Sequence, residues 1–248
     1  MTTDDMETVN IGTTNLVFSH VSPRRLEDST EWTLATICVD TTGSTHGFAT
    51  ELRQALIDSI KMMKESPRKN YLLVRVLLFS TIYPDNVLEL HGFKMLADID
   101  ANDYPEFNPD GMTPLKDITF SALGAMVEFG ENLTAKDYTT NGIGIIITDG
   151  YDNQSNATMG MITNLREEIR RQEKLESCLM LLVGVNAARY KTFLDAFKTE
   201  AGFDDYMDIG DWTPQTGAKL AGWVEASVSS QSQHVGTGGP SKAISATI

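Results

Sequence analysis

The chain has 248 residues, 41% of them hydrophobic, and a formal net charge of −14. That length suits one large α/β domain or two small ones, and that apolar content supports a core and excludes a disordered chain. So acidic a chain repels nucleic-acid phosphates and anionic lipid, which excludes both as partners and leaves cations and basic protein surfaces.

The first residues, Met1-Thr2-Thr3-Asp4-Asp5, are polar and acidic, without the basic and apolar regions of a signal peptide. No apolar run approaches the length of a membrane span, so a cytoplasmic protein is the expectation. Residues 1–30 are read as an N-terminal extension, in which Leu16-Val17-Phe18 can add a strand or cover a sheet edge.

Four long apolar runs follow, at residues 32–39, 71–79, 142–148 and 178–185. They are nearly continuous rather than alternating, the pattern of strands buried on both faces of a parallel sheet. Residues 87–90 read as an edge strand antiparallel to the rest, because too few residues separate them from 71–79 for a helical crossover. Residues 203–209 read as a further edge strand.

Helical spacing fills the gaps. Leu52, Ala55, Leu56, Ile60 and Met63 form one apolar face, closed by Pro67. Leu115, Ile118, Ala122, Ala125, Met126 and Phe129 form another, opened by Pro114 at a helix start. Ile162, Leu165 and Ile169 mark a third, Tyr190, Phe193, Leu194 and Phe197 a fourth, and Leu220, Trp223, Val224 and Val228 the last. The alternation predicts a doubly wound α/β domain over residues 31–228, with a mostly parallel sheet, one antiparallel edge strand and helices on both faces. Residues 229–248 are Ser/Gly-rich and read as a flexible tail. Cys38 and Cys178 lie inside apolar runs and read as small buried hydrophobes.

Three loops carry the chemistry. The run ending at Val39 leads into Asp40-Thr41-Thr42-Gly43-Ser44, which offers one carboxylate and alternate hydroxyls at the C-terminal end of a strand. Asn108-Pro109-Asp110-Gly111-Met112-Thr113-Pro114 offers Thr113 just before a helix, with Asp110 as a carboxylate on the rim. Ile147-Thr148-Asp149-Gly150 ends a buried strand in an acid and a glycine. In a parallel sheet these loops share one edge, where open α/β folds place ligands, and hard divalent cations take such oxygen sets. Each feature also has a plain structural reading: Asp40 or Thr113 as a helix cap, and Asp149-Gly150 as a turn. The four histidines show no metal spacing, and residues 166–171 read as a solvated helix face.

Taken together, the three loops resemble those of the von Willebrand factor A domain and its metal-ion-dependent adhesion site, over about residues 32–228. That family's pattern is Asp-x-Ser-x-Ser, then a Thr, then an Asp. Here Thr42 stands for the first serine, keeping the hydroxyl and adding a methyl, and Thr113 and Asp149 supply the rest. The resemblance implies a site for Mg²⁺, or for Mn²⁺ or Ca²⁺ in its place. Ser44 and Thr42 or Thr113 would ligate directly, and Asp40 and Asp149 partly through water or through hydrogen bonds. It implies a protein partner presenting an Asp or Glu carboxylate, bound rather than chemically altered. It further implies a stand-alone domain of bacterial or phage type, serving as an adaptor beside an AAA+ ATPase or a stress-response complex.

The first loop also resembles the Asp-Lys-Thr-Gly-Thr loop of haloacid-dehalogenase-type phosphotransferases, which would make Asp40 a nucleophile. Thr41 stands where that family has lysine, Thr148 where it has glycine, and helical spacing begins where it inserts a hairpin. A third alternative is a structural assembly role in which the metal orders the loops.

Overall fold

A computed structural model describes residues 6–23, 26, 30–172 and 174–235. An eight-stranded sheet organises the chain, with strands β1 (Met6–Asn10), β2 (Val17–Val21), β3 (Glu31–Asp40), β4 (Leu72–Phe79), β5 (Val87–Met95), β6 (Thr139–Thr148), β7 (Ser177–Gly184) and β8 (Asp205–Asp208). Their spatial order is β1-β2-β5-β4-β3-β6-β7-β8. β4, β3, β6, β7 and β8 are mutually parallel.

The antiparallel neighbour of β4 is β5, as the short connection between them requires. It is not the edge. β2 runs parallel to it, touching at a single register pair, His20 with Phe93, and β1 closes the sheet antiparallel to β2. The expected single antiparallel edge strand is therefore two strands running against the rest, with a further strand outside them. Residues 6–21 of the anticipated N-terminal extension supply that border.

Among the described residues five α-helices cover the two faces: α1 (Ala49–Glu65), α2 (Leu115–Thr134), α3 (Met159–Gln172), α4 (Lys191–Ala201) and α5 (Pro214–Val235). Successive strand residues feed alternate faces. Ala35, Ile37 and Val39 of β3 join a core with Leu52, Ile60, Leu220 and Val224 from α1 and α5. Leu34 and Cys38 join the opposite core with Ile118, Met126, Ile162 and Phe197 from α2, α3 and α4. The last helix runs to Val235, so the start of the anticipated flexible tail is helical; residues 236–248 lie outside the described part, as do residues 1–5.

One charged pair sits inside the sheet. Arg75 of β4, fully buried, donates to Glu89 Oε2 at 2.6 Å and to the Ser121 carbonyl at 3.2 Å. Ser19 donates to the other oxygen of Glu89 through both its backbone and its hydroxyl, which ties β2 to β5 where their ladder is thin.

The chain leaves β3 through α1 to β4 on one side, and later returns through α2 to β6 on the other. The C-terminal ends of β3 and β6 therefore flank a topological switch point, the crevice where doubly wound folds bind ligands.

Candidate functional site

The three sequence-predicted loops meet at that crevice. Asp40 is the last residue of β3, Asp149 follows the last residue of β6, and Thr113 precedes α2. Ser44 lies on a 3₁₀ turn, Gly43–Gly47, that leads into α1 with no hairpin between. All five predicted residues are brought together.

Their oxygens form a continuous chain. Ser44 Oγ donates to Asp149 Oδ1 at 2.7 Å, Thr42 Oγ1 lies 3.1 Å from Ser44 Oγ, and Thr113 Oγ1 donates to Thr42 Oγ1 at 3.4 Å. Asp40 stands beneath them with both oxygens held: Oδ1 accepts from the Thr42 N–H at 2.9 Å and Oδ2 from the Thr148 hydroxyl at 2.7 Å. Asp40, Thr42, Thr113 and Asp149 are buried, and Ser44 is exposed at the mouth. Thr41 turns away, its hydroxyl 3.3 Å from the Phe79 carbonyl and 3.2 Å from Tyr83 Oη.

Electrostatics set the two acids apart from ordinary loop carboxylates. Burial, then the charge of Asp149, pushes Asp40 up to about 7, against the pull of hydrogen bonds from Thr42 and Thr148. Burial also raises Asp149, partly offset by the Ser44 hydroxyl. A cation between them would relieve both.

The donor set fits a small hard cation. Neighbouring oxygens of an octahedron drawn at the Mg–O distance of 2.0–2.1 Å are about 2.9 Å apart. The chain from Asp149 through Ser44 and Thr42 to Thr113 has spacings of 2.7, 3.1 and 3.4 Å. The set is two carboxylates and three hydroxyls; among the described residues no three His, Cys, Asp or Glu side chains gather in a metal-binding group.

The helix-cap reading of Thr113 finds no support, whereas Asp40 does take a backbone N–H, that of Thr42, just before the 3₁₀ turn. Thr113 does not cap α2: the N-cap position is Pro114, with no side-chain cap, and the first free N–H groups are satisfied from a distant loop. The Lys116 N–H donates to Asp152 Oδ1 at 3.1 Å and to Ser155 Oγ at 3.0 Å, and the Asp117 N–H donates to Ser155 Oγ at 3.3 Å. The hydroxyl of Thr113 is thereby left to the site. On the 3₁₀ turn, the N-cap residue Thr42 likewise makes no side-chain cap.

Other candidates fall on the rim. Asp110 is exposed and its carboxylate takes the Gly111 N–H at 2.7 Å. His46 is exposed, with Nδ1 3.4 Å from the Pro109 carbonyl. Gly111 has φ 77°, the left-handed region, and its carbonyl accepts from the Gly43 N–H at 3.1 Å, joining the first two loops. Sequence reasoning missed Thr148, Asn153, Ser155 and Asp117. Thr148 had a usable signal, a hydroxyl directly before the acid at a strand end. The others act across the sequence and carry no local sign of which helix they serve.

No family model matches the sequence, and no curated protein matches it. The fold does have counterparts among solved structures. The pilus adhesin SpaC from Lactobacillus rhamnosus GG is similar at TM-score 0.57 and 12% identity, over 83% of this chain and 31% of that one. The PilB minor pilin from Streptococcus sanguinis is similar at TM-score 0.57 and 14% identity, over 86% of this chain and 64% of that one. The vWF domain of the type V pili tip protein Mfa5 from Porphyromonas gingivalis is similar at TM-score 0.50 and 9% identity, over 88% of this chain and 100% of that domain. This chain thus spans about a third of the adhesin and under two thirds of the pilin. At these identities the likeness shows the fold: a von Willebrand factor A-like α/β domain. Among the described residues no helix is long and apolar enough to cross a membrane.

Proposed function

We propose that the domain is a divalent-cation-dependent protein-binding module. The carrying observation is the convergence of Asp40, Thr42, Ser44, Thr113 and Asp149 as one chain of oxygens over two buried acids. Thr42, Ser44 and Thr113 are the direct ligands, and Asp40 and Asp149 hold them and balance the charge. Bound there, Mg²⁺ (or Mn²⁺ or Ca²⁺) offers an open coordination position to an Asp or Glu carboxylate of the partner.

The surroundings support binding over catalysis. Met112 beside Thr113 is 52% exposed, Tyr151 beside Gly150 is 41%, and Ile82, against Gly111, is 45%, so exposed bulky apolar side chains flank the loops of the site. Patches of this kind suit a protein interface. Asp40 is a poor candidate for a phosphorylated nucleophile, because it is 1% exposed and both its oxygens are engaged. The pilus adhesin and pilins of similar fold supply an analogy for adhesion. A cytoplasmic setting belongs to the same reading.

Partner capture from a lysate of the source cell, in Mg²⁺ and in EDTA, tests the proposal. Capture that EDTA and Asp40→Ala both abolish is expected. Capture indifferent to both would overturn the metal-bridged mechanism, and covalent phosphate on Asp40 would replace it with the phosphotransferase reading.

A further inference from the structure

Resting on the metal-site reading, we propose that Asn153 is a positioning residue that latches the Thr113 loop to the Asp149 loop and thereby sets the divalent-cation affinity. Asn153 lies four positions beyond Asp149 in the connection from β6 to α3. Its side-chain carbonyl accepts from the Thr113 N–H at 2.7 Å, and its own N–H donates to the Thr113 carbonyl at 3.1 Å. One residue thus takes both backbone polar groups of a candidate ligand.

Thr113 needs such a hold. It is flanked by exposed Met112 and by Pro114, which has no N–H to give, and α2 begins only at Leu115. Gly111 and Met112 are fixed to Gly43 and Thr81, but those contacts end before Thr113. Without the Asn153 side chain Thr113 would keep its place only through the backbone bond at its carbonyl and the long 3.4 Å contact of its hydroxyl with Thr42.

The latch is separable from the rest of the loop. Asp152 pairs with Lys116 Nζ at 2.6 Å and with the Lys116 N–H. Asp117 accepts the Asn156 and Ala157 N–H groups at 3.0 and 2.6 Å. These bonds dock the loop on α2 whatever stands at position 153. Removing the amide therefore leaves the Thr113 N–H without its acceptor and Thr113 held at its carbonyl alone, while the loop stays seated. Groups that orient metal ligands without touching the metal set affinity by about 10–100-fold.

Mn²⁺ titration calorimetry on the full chain tests this, beside thermal unfolding in EDTA. Asn153→Ala is expected to raise the Mn²⁺ Kd about tenfold while keeping the melting temperature in EDTA within about 4 °C of wild type. Asn153→Asp keeps the acceptor for the Thr113 N–H and is expected to bind at least as tightly as wild type. An unchanged Kd in Asn153→Ala would overturn the inference, as would equal weakening by Asn153→Asp. Failure of the wild type to bind Mn²⁺ would instead remove the metal reading itself, so the two failures are distinct.

Discussion

Ser44 Oγ donates to Asp149 Oδ1 at 2.7 Å, joining the loop after β3 to the end of β6 across 105 positions of sequence. Ser44 is exposed, so the bond contributes little to folding. Ser44→Ala is expected to lower stability by less than about 1 kcal/mol. It should also abolish the rise in melting temperature that saturating Mg²⁺ gives the wild type. Thermal unfolding in EDTA and in Mg²⁺ reads both effects.

Asp40 carries the opposite balance. It is buried beside Asp149, and without a cation its charge is a burden on the fold. Asp40→Asn removes that charge and keeps the shape. The cation-free variant is expected to be more stable than wild type by about 1 kcal/mol or more, and to gain nothing from Mg²⁺. Urea unfolding at neutral pH, with and without Mg²⁺, measures the two signs; a less stable cation-free variant would contradict the account.

Gly111 joins two loops of the proposed site. A Cβ there would fall 2.7 Å from both Ser80 Oγ and Thr81 Oγ1, on a backbone with φ 77°. Gly111→Ala is expected to cost about 1–2 kcal/mol and to weaken Mg²⁺ binding, because its carbonyl also takes the Gly43 N–H. Denaturant unfolding and metal titration on the same preparation would show whether the two losses travel together.

Acid sensitivity should come in part from His91. Burial pushes it down to about 4 from 6.5, and its ring lies 2.9 Å from the Gly92 carbonyl and 2.8 Å from Tyr104 Oη. The unfolded chain binds a proton below pH 6.5 that the folded chain takes up only near 4. Stability therefore falls as pH drops through that window, by about 2 kcal/mol at pH 4.5 from this residue. His91→Gln should flatten that part of the pH profile. An equally steep profile in the variant would assign the loss to other groups.

Much of this was legible in the sequence, for identifiable reasons. β3, β4, β6 and β7 are buried on both faces, so continuous apolar runs announced them. The five proposed site residues stood at strand or helix ends, where residue type and position speak together, and the structure brings them together. β1 was hidden because its strand, METVN, is largely exposed and shows no apolar run. β5 extends beyond the expected residues 87–90 to Met95 through His91, a polar residue that looks like loop until Tyr104 is seen as its partner. The capping of α2 by Asp152 and Ser155, and the Asn153 latch, join residues 36–40 positions apart and leave no local pattern.

The central claim is that Ser44, Thr42, Thr113 and the two aspartates hold one divalent cation. Crystals grown with Mn²⁺ and measured at the manganese absorption edge test it most directly. The account predicts a single strong anomalous peak among Ser44 Oγ, Thr42 Oγ1, Thr113 Oγ1 and Asp149. An anomalous map with no peak there, at saturating Mn²⁺ and with these side chains well ordered, would contradict it.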